Sequence, residues 1–137
     1  MIKLSNAVLV NSQQSLSTLS QQSLPIKISY LISKNIVKIS DELKIYNEER
    51  QKLINKYGKK DENDKLIVDK NNQVTFGENT ASWNKDFSEL LSIENEVDIK
   101  TFSIDKLDNV TLSPNELMQI SYMIEEPKED YKEVIKK

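Results

Sequence analysis

From residue 25 to residue 57 the apolar positions keep one period: Ile32, Ile36, Ile39, Leu43, Tyr46, Leu53 and Tyr57 recur at steps of four and three, and only Arg50 breaks the stripe. The pattern predicts one uninterrupted amphipathic helix from Pro25 to Tyr57. At about 1.5 Å per residue it would span roughly 50 Å, longer than a domain of this size is usually wide. Such a helix is a spine for other elements or an arm for a partner. Pro25 suits its first position, where a missing N–H removes no hydrogen bond, and Gly58 suits a left-handed C-cap followed by Lys59 and Lys60. Charges of the block DELKIYNEERQK fall opposite the stripe, with Glu48 and Lys52 one turn apart.

Before this helix, Val8, Leu16 and Leu19 repeat on a helical period over residues 5–22, with Ser5 or Asn6 as N-cap. A helical hairpin follows, turning near residues 22–24. After it the period changes. KDENDK is a polar loop, and KLIVD, KNNQ and VTF read as strand, turn and strand, with Leu66 and Val68 facing Val74 and Phe76 across an Asn71–Asn72 turn. Asn79 or Thr80 caps a third helix whose face is Trp83, Phe87, Leu90 and Leu91. From Glu96 to Phe102, Val97, Ile99 and Thr101 alternate with Asp98 and Lys100, the pattern of a half-buried strand that would join the hairpin. A helical turn at Ile104 to Leu107 precedes Ser113-Pro114-Asn115-Glu116, a capping box. It opens a final helix with face Leu117, Ile120, Met123 and Ile124, stopped by Pro127.

The expected fold is therefore α+β: a helical hairpin with one long helix, plus a small three-stranded antiparallel sheet covered by two shorter helices. Residues 1–126 form a single domain and residues 127–137 a charged tail. The 137 residues suffice for a core without disulfides or a structural metal.

Composition narrows the chemistry. With no Cys and no His, thiol nucleophiles, imidazole bases and the usual zinc sites are excluded, and no cofactor is expected. Neither Gly58 nor Gly77 is followed by Lys-Ser or Lys-Thr, so no phosphate loop is present. The acidic stretch from Asp61 to Asp69 lacks the glycine and terminal glutamate of a calcium loop, so no metal site is expected. The reading is of a non-enzyme with no catalytic residues and no small-molecule substrate. No segment has the length or apolarity to span a bilayer, which makes the protein an expected cytoplasmic one with no membrane partner.

Charge is distributed unevenly. Of 19 basic residues, Lys3, Lys27, Lys34 and Lys38 fall in the first 40 positions, which hold no acid; the other 15 face all 22 acids, leaving residues 41–137 at about −7. That balance repels a phosphate backbone and argues against direct nucleic-acid binding. Glu94, Glu96 and Asp98 at steps of two would share one strand face, a solvent face that can also steer a basic partner. Arg50 reads as an arginine at the helix edge or as a register-fixing residue of a seam. The partner-binding candidates are thus Tyr46, Arg50, Leu53 and Tyr57 on the second half of the long helix, with Glu94, Glu96 and Asp98.

The run from Ser23 to about Glu126, above all EERQKLINKYG at the end of the long helix and the LSPNEL capping box, resembles a group of small uncharacterised phage and prophage proteins from low-GC Gram-positive bacteria. The Ser/Gln-rich amino terminus and the KEDYKEVIKK tail depart from it. The resemblance implies a viral origin and no particular chemistry. A well-formed fold with no catalytic groups and an acidic surface, able to imitate nucleic acid or block a basic groove, leads with that origin to the expectation of a phage-encoded protein that binds a host or phage protein in the cytoplasm of the host bacterium and inhibits a host defence, in the manner of an anti-CRISPR protein, or another host component. The alternative is a virion-assembly or tail-region accessory protein that forms a homo-oligomer through the long helix.

Overall fold

The computed structural model describes residues 1–125. Strand β1 (Ile2–Ser5) runs straight into helix α1 (Asn6–Ser20), where Ser5 is the N-cap and its hydroxyl accepts from the Val8 N–H at 3.2 Å. A short turn leads to α2 (Ile26–Tyr57), 32 residues long, whose N-cap is Pro25 itself, one position earlier than its expected place inside the helix. Helix α3 (Thr80–Ser92) is followed by β2 (Glu94–Val97), β3 (Phe102–Ser103), α4 (Pro114–Gln119) and β4 (Ile124–Glu125).

The strands pair differently from the expected three-stranded antiparallel sheet. β1 and β2 form one antiparallel pair with Ile2 opposite Val97 and Ser5 opposite Glu94, and β3 lies parallel to β4 with Phe102 opposite Ile124. The alternation from Glu96 to Phe102 is thus divided between two sheets. Between them the backbone of Lys100 finds a side chain in place of a strand: the Asn35 amide donates to its carbonyl at 2.9 Å and accepts from its N–H at 3.0 Å. Asn35 is fully buried in the middle of α2, so a strand-like hydrogen-bond pair sits inside the helical layer.

The final helix is also shorter than its periodicity suggests. Ser113 and Glu116 make the expected capping box in both directions, at 3.2 and 3.1 Å, but α4 ends at Gln119 and the chain passes through a tight turn at Ser121–Met123 into β4. Ile120 and Met123, two of the expected helix-face residues, are fully buried by this turn. The i, i+3 spacing is shared by a helix and by a tighter turn, and tertiary burial decides between them. Pro127 and the charged tail lie outside the described residues.

The core is made where α1 crosses α2. Leu9, Leu16 and Leu19 meet Ile32, Ile39 and Leu43, closed from the other side by Ile120 and Met123. Val8, expected in that face, is instead 38% exposed. Two serines of α1 are fully buried, and both are satisfied: Ser12 donates to the Leu9 carbonyl and receives the Tyr122 hydroxyl at 2.9 Å, while Ser15 donates to Gln119. Asn6, also buried, donates to the Leu90 carbonyl and accepts from Asn95, tying the start of α1 to the end of α3. Among the described residues no buried side-chain nitrogen or oxygen lacks a partner.

Residues 59–75 form neither a loop nor a plain hairpin. Lys60 bridges Leu66 and Val68 bridges Val74, so the expected pairing of the last two legs is present, without continuous strands and without the third strand predicted to join them. The three legs close on one another. Lys59 N–H donates to Thr75 O, Thr75 N–H to Ile67 O, and Ile67 N–H to Lys59 O, at 2.8, 3.0 and 2.8 Å. The two turns are copies set eight residues apart. Asp61 accepts from the N–H groups of Asn63 and Lys65, and Asp69 from those of Asn71 and Gln73, all at 2.8 to 3.0 Å. Asp64 and Asn72 occupy the matching left-handed positions with φ of 62° and 63°. Asp and Asn tolerate that region because their short polar side chains bond locally.

Gly58 joins this meander to α2. Its φ of −61° is ordinary, so it is no left-handed cap. Glycine is needed there for space: a Cβ would lie 2.5 Å from the Ile54 carbonyl oxygen and 2.5 Å from the Leu66 side chain.

Candidate functional site

The residues expected to meet a partner are placed in three environments. Tyr46 is 5% exposed and belongs to the core, which corrects its place on a free face. It ends a column of aromatic rings: Phe76 stacks on Trp83 at 4.2 Å, Trp83 on Phe87 at 4.8 Å, and Phe87 leans against Tyr46 at 6.5 Å. Burial raises the Tyr46 hydroxyl pKa, with the Arg50 charge acting weakly in the other direction. Leu53 is half-buried against the core, and Tyr57, also half-buried, donates from its hydroxyl to Asp86 of α3 at 2.6 Å. Asn79 adds a bond to the Tyr57 carbonyl, so the start of α3 caps the end of α2. The inner face of the second half of α2 is therefore packed against α3, with the meander at its end.

Arg50 is exposed, and among the described residues no carboxylate lies within ion-pair distance of it. Nearby, Lys52 pairs with Glu49 at 3.0 Å rather than with Glu48. Glu94 and Glu96 are exposed on β2, where Glu96 faces Lys3 across the pair. Asp98 falls beyond the end of β2, so the three carboxylates do not share one strand. Lys38 at 3.5 Å and Lys100 at 3.7 Å flank it, and these two charges, Lys100 first, hold its carboxyl below the usual range. A steering strip of three acids is thus reduced to two.

Opposite the core, α2 carries a second apolar stripe that the periodicity of the first one concealed. Ile26 is 83% exposed, Tyr30 64%, Val37 59% and Ile45 61%. At about 100° per residue these four fall within an arc of roughly 100°, on the side away from Ile32, Ile39 and Leu43. Exposed apolar residues scattered singly are ordinary, whereas four along one helix face make that face a candidate contact surface. Lys34 lies over the Tyr30 ring at 4.9 Å, and Lys27 is exposed beside it. The signal was present in the sequence as apolar residues at 26, 30 and 37, in the half of the helix where neither face is fully polar.

A shallow cavity of about 180 Å³ lies between α1 and α2, lined by Leu16, Ile36, Ile39 and Leu43 together with Gln13 and Ser40. Among the described residues no helix is long and apolar enough to cross a membrane, and no three acidic side chains are grouped to hold a metal ion. Comparison with protein-family models, with curated proteins and with solved structures finds no match for this chain.

Proposed function

We propose that this chain acts by binding another protein, without catalysis, and that the outer face of α2 makes the contact. The observation that carries the reading is the exposed row Ile26, Tyr30, Val37 and Ile45 on the side of α2 turned away from the core. A 32-residue helix, packed from behind by α1 and α3, presents that row on backbone already ordered. In its finer form the proposal is a phage-encoded inhibitor of a host defence, anti-CRISPR-like, or of another host protein. Viral origin is the expectation carried from the sequence, and the charge of about −7 on residues 41–137, which suits a basic groove, favours the inhibitor form.

The test is capture from host lysate by the full chain and by a Tyr30→Glu, Val37→Glu variant, followed by mass spectrometry. Prey held by the parent and lost by the variant is the expected result. Identical prey for both overturns the assignment of the face, and prey consisting of phage structural proteins alone overturns the inhibitor form. The virion-assembly reading has one observation in its favour, the order of charges along the same face.

A further inference from the structure

We infer that the outer face of α2 is self-complementary and seats the α2 of a second copy of this chain, antiparallel, about a two-fold axis crossing the face between Val37 and Lys38. The inference rests on the proposed role of that face as a protein-contact surface and seats there a second copy of the chain, the occupant of the homo-oligomer reading, in place of a host protein. The first half of the face carries Lys27 and Lys34 with no acid, and the second half carries Asp41 and Glu48 together with Lys44 and Lys52; all six are exposed, and Lys52 is already held by Glu49 at 3.0 Å. Polar order along a helix face fixes which register an antiparallel partner takes.

With the axis at that point, three pairs come level at once. Lys34 lies beside Asp41 of the second copy, Lys27 beside its Glu48, and Tyr30 beside its Ile45. Symmetry repeats each pair, giving four ion pairs and two aromatic–aliphatic contacts around a central pair of Val37 side chains. Two helices pack at about 8–10 Å, a separation that Val37 at the centre permits and a long charged side chain would not. The one cation near the axis is already occupied. Lys38 is turned aside to Asp98, donating to its carbonyl oxygen at 2.7 Å and lying 3.5 Å from its carboxylate, so the two copies of Lys38 do not face each other as free charges. A one-turn shift in either direction sets Lys34 against Lys44 or against Val37, and the pairing is lost.

Sedimentation velocity of the full chain across a concentration series is expected to show a monomer–dimer equilibrium. Lys34→Glu alone, or Asp41→Lys alone, opposes like charges at two places and should weaken association at least tenfold. The double variant Lys34→Glu, Asp41→Lys restores opposite signs and should recover it. All positions are exposed, and circular dichroism checks that each variant folds. Because the chain has no cysteine, Val37→Cys should give a disulfide-linked dimer under mild oxidation. Gln51→Cys should not, since its two copies would lie about 40 Å apart at roughly 1.5 Å of rise per residue. A chain that stays monomeric at every concentration, or a dimer indifferent to the two reversals, overturns the inference. Loss of lysate capture by Tyr30→Glu, Val37→Glu in a strictly monomeric chain would overturn the second copy as occupant and leave the binding role of the face intact.

Discussion

Around Asn35, α2 is surrounded on its inner side by Leu and Ile side chains of α1 and the carboxyl-terminal turn, and its one buried amide replaces a missing strand for Lys100. Around Tyr57 the same helix is held by a meander with little buried apolar surface, by two aspartate-built turns and by a stack of aromatic rings. The first region is stabilised by dry packing and cannot change one group without disturbing many. The second is stabilised by local hydrogen bonds that individually face water. Continuity of secondary structure does not imply uniform packing: one helix runs through two neighbourhoods held in different ways.

Asn35→Ala is expected to have the largest effect, about 3 kcal/mol, because it removes two part-buried hydrogen bonds to the Lys100 backbone at once and empties the space of a fully buried amide. Urea denaturation followed by circular dichroism measures it, and a loss below 1 kcal/mol would mean that water replaces the amide. Gly58→Ala follows at about 2 kcal/mol, since the added methyl strikes the Ile54 carbonyl and the Leu66 side chain. Its effect should fall on the meander first, so tryptophan emission and helical ellipticity should cease to change together. If the two signals stay superimposed, the two regions unfold as one. Asp61→Ala and Asp69→Ala should each cost about 1 kcal/mol, and equally, because each removes an acceptor for two backbone N–H groups in equivalent turns. Asn72→Gly, at a φ of 63°, should recover part of that loss, about 0.5 kcal/mol.

The smallest effect is electrostatic. Asp98 has its folded pKa lowered by Lys100 and Lys38, so its contribution to stability is present above the usual carboxylate range and is lost as pH falls through the lowered value. The melting-temperature gap between the parent and Asp98→Asn should therefore close between neutral and strongly acidic pH, and added salt should shrink it at neutral pH. A gap that widens on acidification would show the pairing to be absent.

How much was legible in the sequence follows the same division. The long helix, the start of α1, the capping box and the face of α3 were readable because period and caps are local. β1 was not, since IKLS is four residues long and its partner lies about 90 residues away. The parallel pairing of β3 with β4 rests on two residues in each strand, too few for alternation to register. Of the candidate site residues, Arg50, Glu94, Glu96 and Asp98 stand at the surface, Asp98 beside Lys38 and Lys100. Tyr46 lies in the core because α3 folds back onto its stripe and sets Phe87 against its ring, a tertiary contact that the hydropathy period of α2 alone does not register. Ile26, Tyr30, Val37 and Ile45 went unread because one strong stripe masks a weaker one opposite.

The aromatic column has a practical consequence. Trp83 is the chain's one tryptophan, and it sits between the ring of Phe76, where the chain leaves the meander, and that of Phe87, which reaches the core. The molecule thus carries a built-in optical gauge at the joint between its two regions. Parting of the meander from α3 would unstack the indole and shift its emission while the helices stay folded.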